Sequence, residues 1–185
     1  KFGRPRCVVD GVERDAGFAI VAYGKLGGIE LNYGSDLDLV FLHDSAGQQQ
    51  VTAGPRSIDN PTLFAKLAQR IIHWLTTRTG AGDLYEVDTR LRPSGRAGLL
   101  VSSFEAFTEY QRHQAWTWEH QALTRARVVA GPTALAERFR AIRQDVLGSA
   151  RDPVILRQEV CEMRERMRGE LDASTTEGFD LKQGR

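Results

Sequence analysis

The sequence predicts an α+β fold, with a strand-rich front over residues 1–102 and a helical segment over 103–185. Residues 36–43 begin with two acids that alternate with Leu37, Leu39 and Phe41, the period of a half-buried strand. Residues 84–91 repeat the pattern, with Tyr85, Val87 and Leu91 apolar and Glu86, Asp88 and Arg90 polar. Further on, Leu135, Phe139, Ile142 and Val146, then Leu156, Val160, Met163 and Met167, recur at helical spacing. No internal repeat is visible, and 185 residues suit one domain or a domain with an appendage.

Taken in order, residues 1–17 are polar and rich in Arg and Asp, and are expected to form an irregular lead-in. Residues 18–23 form a short apolar strand. Residues 24–28 are a Gly-rich turn carrying Lys25, and 30–34 are a short link to the first acidic strand. Residues 44–60, with Ser, Gly, Pro and three Gln, read as an exposed loop. Asn60-Pro61 reads as an N-cap followed by proline in the first helical turn. Leu63, Phe64, Leu67, Ile71 and Leu75 then follow at helical spacing up to Gly80.

After the second acidic strand comes a turn, Arg92-Pro93-Ser94-Gly95, and a short strand over 98–101. Ser102 and Glu105 have capping-box spacing ahead of Phe104, Phe107 and Tyr110. Trp116 and Trp118 lead into a helix over 118–128, closed by Gly131-Pro132. The back of the chain is expected to be all-helical from about residue 103.

Bulk properties narrow the function. Lys and Arg number 25 against 24 Asp and Glu, a net charge of +1, which leaves no strong electrostatic footprint for nucleic acid. Lysine occurs only at 1, 25, 66 and 182, so the basic side chains are nearly all arginine. Arginine suits bidentate contact with carboxylate and phosphate, although a GC-rich genome produces the same bias. Cys7 and Cys161 match no metal-ligand spacing, nor do the four histidines, and a reducing, cytoplasmic compartment is expected. No signal peptide or membrane-length apolar run is present, and no membrane association is expected. Opening at Lys1 and stopping at Gly184-Arg185, the chain reads as a piece of a longer protein.

The chemistry points to Gly34-Ser35-Asp36-Leu37-Asp38. Strand alternation puts Asp36 and Asp38 on one face, about 6–7 Å apart along the chain. Two such acids repel unless a cation lies between them, and hard oxygen ligands suit Mg²⁺ together with substrate phosphates. The Gly34-Ser35 turn offers backbone N–H groups and a hydroxyl to a phosphate. Asp88 supplies a third carboxylate from a second strand, as two-metal phosphoryl transfer requires for ions about 3.5–4 Å apart. A solvated strand end, and an ion pair of Asp88 with Arg90 or Arg92, are the structural alternatives.

Lys25 reaches a phosphate or is an exposed turn lysine; its glycines match neither a P-loop nor a dinucleotide fingerprint. Arg90 and Arg92 neutralise a polyphosphate or pair with nearby acids. Trp116 and Trp118 stack a purine or, the preferred reading, pack a helix into the core. The Arg/Glu pattern of 157–170 marks a solvated helix face.

Three runs carry a family resemblance. They are Tyr23-Gly-Lys-Leu-Gly-Gly-Ile-Glu-Leu-Asn-Tyr-Gly-Ser-Asp-Leu-Asp-Leu-Val-Phe-Leu-His-Asp44, Tyr85-Glu-Val-Asp-Thr-Arg-Leu-Arg-Pro-Ser-Gly95, and Trp116-Thr-Trp-Glu-His-Gln-Ala-Leu-Thr-Arg-Ala-Arg-Val-Val-Ala-Gly131. Together they resemble bacterial glutamine-synthetase adenylyltransferase, whose two related nucleotidyltransferase domains attach AMP to glutamine synthetase and remove it. The likeness runs from about residue 18 to the end, where Phe179 to Arg185 resembles the start of a further motif.

The Arg-Pro-Ser-Gly turn and the Trp-Glu-His-Gln-Ala-Leu run resemble the C-terminal, adenylylating copy. The deadenylylating copy usually has Arg-Pro-Glu-Gly and a Trp-Glu-Arg-Tyr type run. The resemblance implies a DNA polymerase β-like nucleotidyltransferase core over 1–102, completed by the helical segment over 103–185. It implies that Gly34 and Ser35 bind the triphosphate of ATP and that Asp36, Asp38 and Asp88 hold Mg²⁺. Glutamine synthetase is the implied target, with PII signal protein and glutamine as regulators. The deadenylylating activity, or a docking module without catalysis, are the alternatives.

Overall fold

The computed structural model describes residues 1–80, 82–83 and 85–174. A first compact unit spans Lys1–Gly148 and a second begins at Ser149.

The lead-in is not irregular. It forms a hairpin of β1 (Pro5–Val9) and β2 (Val12–Asp15). Asp10 and Gly11 both have positive φ, 52° and 78°, the pairing that a tight hairpin turn demands and Asp-Gly supplies. Its charges, such as Arg6 beside Glu13 at 3.0 Å, face water, which is why the composition reads as loop. The strand β3 (Phe18–Ala22) follows as expected, then α1 (Gly24–Gly27), a single helical turn, and β4 (Leu37–His43).

The loop expected over 44–60 contains β5 (Gln48–Thr52), which pairs with β1; its glutamines concealed an edge strand. In α2 (Asn60–Leu75) the cap lies one residue earlier than expected. Asp59 is extended and its carboxylate accepts from Thr62 N–H at 2.8 Å. Asn60 is instead buried inside the fold, donating to Arg6 O at 2.7 Å and Ser45 Oγ at 2.8 Å. The helix stops at Leu75, short of Gly80, and a small hairpin of β6 (Arg78–Thr79) and β7 (Gly82–Asp83) intervenes.

The second acidic strand is reduced to β8 (Val87–Asp88); Leu84, where it was expected to start, lies outside the described residues. Next comes β9 (Val101–Ser103), displaced from the expected 98–101. The cap of α3 (Phe104–His113) is Ser103, whose Oγ accepts from Ala106 N–H at 3.1 Å, while Ser102 stays buried in β9. Helix α4 (Thr117–Leu123) is short, because the chain turns into β10 (Arg127–Ala130). The back is therefore not all-helical: adjacent Val128 and Val129 favour a strand, and β10 pairs antiparallel with β3. Helix α5 (Thr133–Gly148) closes the first unit.

In the second unit, α6 (Pro153–Ser174) starts with proline, and Asp152 accepts from Val154 N–H at 2.7 Å. Arg157, Glu159, Glu162, Arg164, Glu165 and Arg166 are exposed, as a solvated face requires. The run 179–185 lies outside the described residues. No described helix is long and apolar enough to cross a membrane.

Strand β4 organises the mixed sheet, ordered β10-β3-β4-β8, with β9 also against β4. It pairs antiparallel with β3, and parallel with β8 at its start and β9 at its end. Its two faces enter two cores. Val40 and Leu42 pack with Phe104, Phe107, Leu123 and Phe139, from the helices after β9. Leu37, Leu39 and Phe41 pack with Cys7, Phe64 and Ala68, toward α2 and β1. Each buried Phe contributes about 1.5–3 kcal/mol. A strand covered on both sides reads as a continuous apolar run, which Leu39-Val40-Phe41-Leu42 is. The half-buried Asp38 appears where the covering stops, at the start of β4, while His43 at its far end is buried against Phe64.

Candidate functional site

Asp38 and Asp88 are register partners in the parallel pairing of β4 and β8, and Leu37 N–H donates to Glu86 O at 2.8 Å beside them. Register partners project to the same face, roughly 4.8 Å apart between strands. Asp36 sits one step before β4 and, like Asp38 and Asp88, is half-buried, while Leu37 and Leu39 are buried on the opposite face.

The Gly-rich turn closes over Asp38. Gly24 has φ 53°, and a side chain there would run into the Asp38 carboxylate, so only glycine lets the backbone approach this closely. Tyr23 N–H donates to Asp38 O at 2.9 Å. From β10, Arg127 donates to Gly27 O at 2.9 Å and Leu26 O at 3.0 Å, pinning the far end of the turn. Lys25 Nζ lies 3.4 Å from Asn32 Oδ1. Ser35 donates its hydroxyl to the same Asn32 Oδ1 and accepts from Asn32 N–H at 3.3 Å. Gly34, with φ 69°, supplies the left-handed step of that turn. Asn32 thus joins Lys25 to Ser35, a role that only its turn propensity hinted at.

Arg90 is the cation beside the acids. Its Nε donates to Asp88 Oδ2 at 2.7 Å, its Nη2 contacts the same oxygen, and its backbone N–H donates to Oδ1 at 2.7 Å. These bonds hold the Asp88 carboxyl below the usual carboxylate range. Asp88, then Asp38 and Asp36, push the Arg90 guanidinium up, so the fields of all three acids converge on it. Among the described residues no group of three His, Cys, Asp or Glu is already gathered to hold a metal ion.

A cavity of about 400 Å³ opens here, lined by Asp36, Glu86, Asp88, Arg90, Arg92 and Arg96 among others. A second, of about 1240 Å³, shares Asp36, Glu86 and Val87 with it and extends past Ser35, Gly34, Tyr33 and Tyr85. The structure therefore brings Asp36, Asp88, Arg90 and Arg92 to one cavity and Gly34 and Ser35 to its neighbour. Asp38 and Lys25 line neither. Arg92 hydrogen-bonds its own loop, and Arg96, which no sequence pattern singled out, joins the lining.

The Trp-Glu-His-Gln run forms the start of α4 and is tied to α3. Trp116 and Trp118 are 70% and 38% exposed, so neither packs the core as expected; both rings stay at the surface. The buried member is Glu119, which accepts from Tyr110 Oη at 2.9 and 3.1 Å and from Trp116 N–H at 2.9 Å. Burial and Glu119 raise the Tyr110 hydroxyl, and the same two causes raise Tyr23, adjacent to Gly24. His120 Nε2 lies 2.8 Å from Gln111 O.

Comparison with known proteins identifies the family. The sequence model of the glutamate-ammonia ligase adenylyltransferase family matches residues 3–142. The chain is 62% identical over 182 residues to a bifunctional glutamine synthetase adenylyltransferase/adenylyl-removing enzyme of Thioalkalivibrio sulfidiphilus, covering 98% of the chain and 19% of that protein. Enzymes of the same description from Nitrosococcus oceani and Hahella chejuensis are 54% and 53% identical, each covering 100% of the chain and 19% and 20% of the relative. The chain spans about a fifth of the length of these relatives.

Proposed function

We propose, for a chain that belongs to the glutamate-ammonia ligase adenylyltransferase family, that its site transfers AMP from ATP to a tyrosine hydroxyl of glutamine synthetase and releases pyrophosphate. The observation that carries this reading is the register pairing of Asp38 with Asp88, with Asp36 and Asp88 lining an arginine-rich cavity that adjoins the Gly34-Ser35 turn. A binding-only module has no use for three neighbouring acids at the mouth of such a cavity. The DNA polymerase β-like nucleotidyltransferase fold belongs to the same proposal, with 1–102 as core and 103–185 as the segment that completes it. The shared packing of Val40 and Leu42 with Phe104, Phe107 and Phe139 supports that completion.

The donor chemistry fits Mg²⁺, because Asp38 and Asp88 are register partners on adjacent strands, Asp36 lies two residues from Asp38, and all three offer hard carboxylate oxygens. Asp36, Asp38 and Asp88 would hold the ion, which supplies charge neutralisation at the phosphates and a lowered proton affinity at the acceptor hydroxyl. The remaining work falls to the chain itself. Gly34 presents a backbone N–H to a phosphate, and the Ser35 hydroxyl can donate to one only on leaving Asn32 Oδ1. Arg90, at the cavity, and Lys25, beside Asn32 in the Gly-rich turn, balance polyphosphate charge, and Arg92 shapes the loop that lines the cavity. Asp88, held ionised by Arg90, is a weak base and a good cation ligand, so any part it takes in accepting the tyrosine proton requires Arg90 to move off it. PII signal protein and glutamine remain the proposed regulators.

Transfer of label from α-³²P-ATP onto purified glutamine synthetase tests the proposal. Label with wild type and none with Asp36→Asn is expected. Phosphate-dependent release of ADP from modified glutamine synthetase, without labelling, would replace adenylylation by its removal.

A further inference from the structure

Three arginines line the smaller cavity, and two of them are already engaged. Arg90 spends its guanidinium on Asp88. Arg92 donates through Nη1 to Thr89 O and Oγ1 at 2.8 Å each, through Nε to Gly98 O at 3.3 Å and through Nη2 to Arg96 O at 3.3 Å. Arg96 differs. Its side chain is exposed at the cavity wall and makes no hydrogen bond or close ion pair with another described residue, although its charge acts on Asp88 across the cavity.

The loop that presents Arg96 is tightly built. Ser94 and Gly95 both have positive φ, 60° and 53°. A 3₁₀ turn over Gly95–Ala97 follows, closed by Ala97 N–H to Ser94 O and Gly98 N–H to Gly95 O, each at 3.2 Å. A side chain at Gly98 would run into Pro93 O. Arg92 thus grips carbonyls at Arg96 and two residues beyond it, so the Arg96 backbone is fixed while its guanidinium is available.

We propose that Arg96 binds the terminal phosphates of a polyphosphate in this cavity, and that Arg92 is its positioning residue. The nature of the anion rests on the adenylyl-transfer reading above. A guanidinium fork matches phosphate oxygens and is permanently charged. A cavity of about 400 Å³ lies at the small end of ligand sites and suits a chain of phosphates. Asp36, Glu86 and Asp88 line the same space and repel a bare anion, so the magnesium complex of the polyphosphate is the species that enters.

The test is calorimetric binding of magnesium tripolyphosphate to the full chain. Wild type binds. Arg96→Gln weakens binding at least tenfold with an unchanged melting temperature, and Arg96→Lys recovers part of the loss. Arg92→Gln also weakens binding, and the double variant binds no more weakly than Arg96→Gln alone, because Arg92 acts through Arg96. Absence of binding by wild type, or binding by Arg96→Gln within twofold of wild type, overturns the proposal. Losses that add in the double variant overturn the role of Arg92. Label transfer is run beside it. Wild type that binds but transfers no label removes the adenylylation reading and leaves the polyphosphate site standing.

Discussion

Asp88 is held by Arg90 from two directions at once, by the guanidinium through Oδ2 and by the backbone N–H through Oδ1. A residue two positions away clamps the carboxylate in the place where Asp36 and Asp38 also direct their charge. The arrangement keeps Asp88 ionised and its rotamer fixed.

Removing that clamp with Arg90→Gln should raise the Asp88 titration midpoint, read from its side-chain carboxyl ¹³C shift. The folded value is depressed, so the pair stabilises the fold above the unfolded carboxylate value of about 3.9, and that contribution is lost as pH falls through the folded value. The variant should therefore show less acid-dependent loss of stability below about pH 4. The effect is small, because the Arg90 side chain is 65% exposed and water screens it. An unmoved midpoint would show that Arg90 does not set the state of Asp88.

Asp38→Asn should lower adenylyl transfer on the order of a thousandfold, by loss of several kcal/mol of transition-state stabilisation. The fold should persist, since Leu37, Leu39 and Phe41 pack on the face opposite the Asp38 carboxylate. Steady-state rates and a circular-dichroism melt check both halves, and activity within tenfold of wild type would remove Asp38 from the metal set.

Glu119→Ala should destabilise the first unit by about 1–3 kcal/mol, because the Tyr110 hydroxyl and Trp116 N–H lose their shared acceptor. Glu119→Gln keeps one acceptor oxygen and should lose less. Urea unfolding of both variants gives the comparison, and equal losses would show that charge rather than hydrogen bonding matters there.

His43 stacks on Phe64 with ring centroids 5.1 Å apart, and its buried Nδ1 finds no partner among the described residues. Burial lowers its proton affinity. A neutral buried imidazole favours the fold above the unfolded value of about 6.5, and that advantage declines as pH falls from there toward the lower folded value. His43→Phe should therefore flatten the loss of stability as pH falls below about 6.5. Melting temperatures of both proteins across that range measure it, and parallel slopes would assign the loss elsewhere.

The amino-acid pattern by itself determined which side chains share a face. Period-2 alternation put Asp36 and Asp38 opposite Leu37 and Leu39, and the same parity aligned Asp88 with Arg90. The helices α2, α5 and α6 were legible for a like reason, since their apolar spacing is long and regular. Short polar strands were not. The β1–β2 hairpin and β5 are stabilised by pairing with one another, and edge strands with few apolar residues carry little local signal. Likewise β10 read as helix until its pairing with β3 was seen.

Only the tertiary structure decided which cations meet which anions. Arg90, Arg92 and Arg96 are nearly equivalent in sequence, yet one clamps Asp88, one ties its own loop and one faces the cavity. Their division depends on the positive φ angles of Ser94 and Gly95 and on where β8 ends, which are properties of the folded backbone. Arg127 and Glu119, distant in sequence from the acids, reach the Gly-rich turn or the chain beneath it only because β10 and α4 return against β3. Local periodicity encodes a face; long-range closure of the chain encodes the company that face keeps.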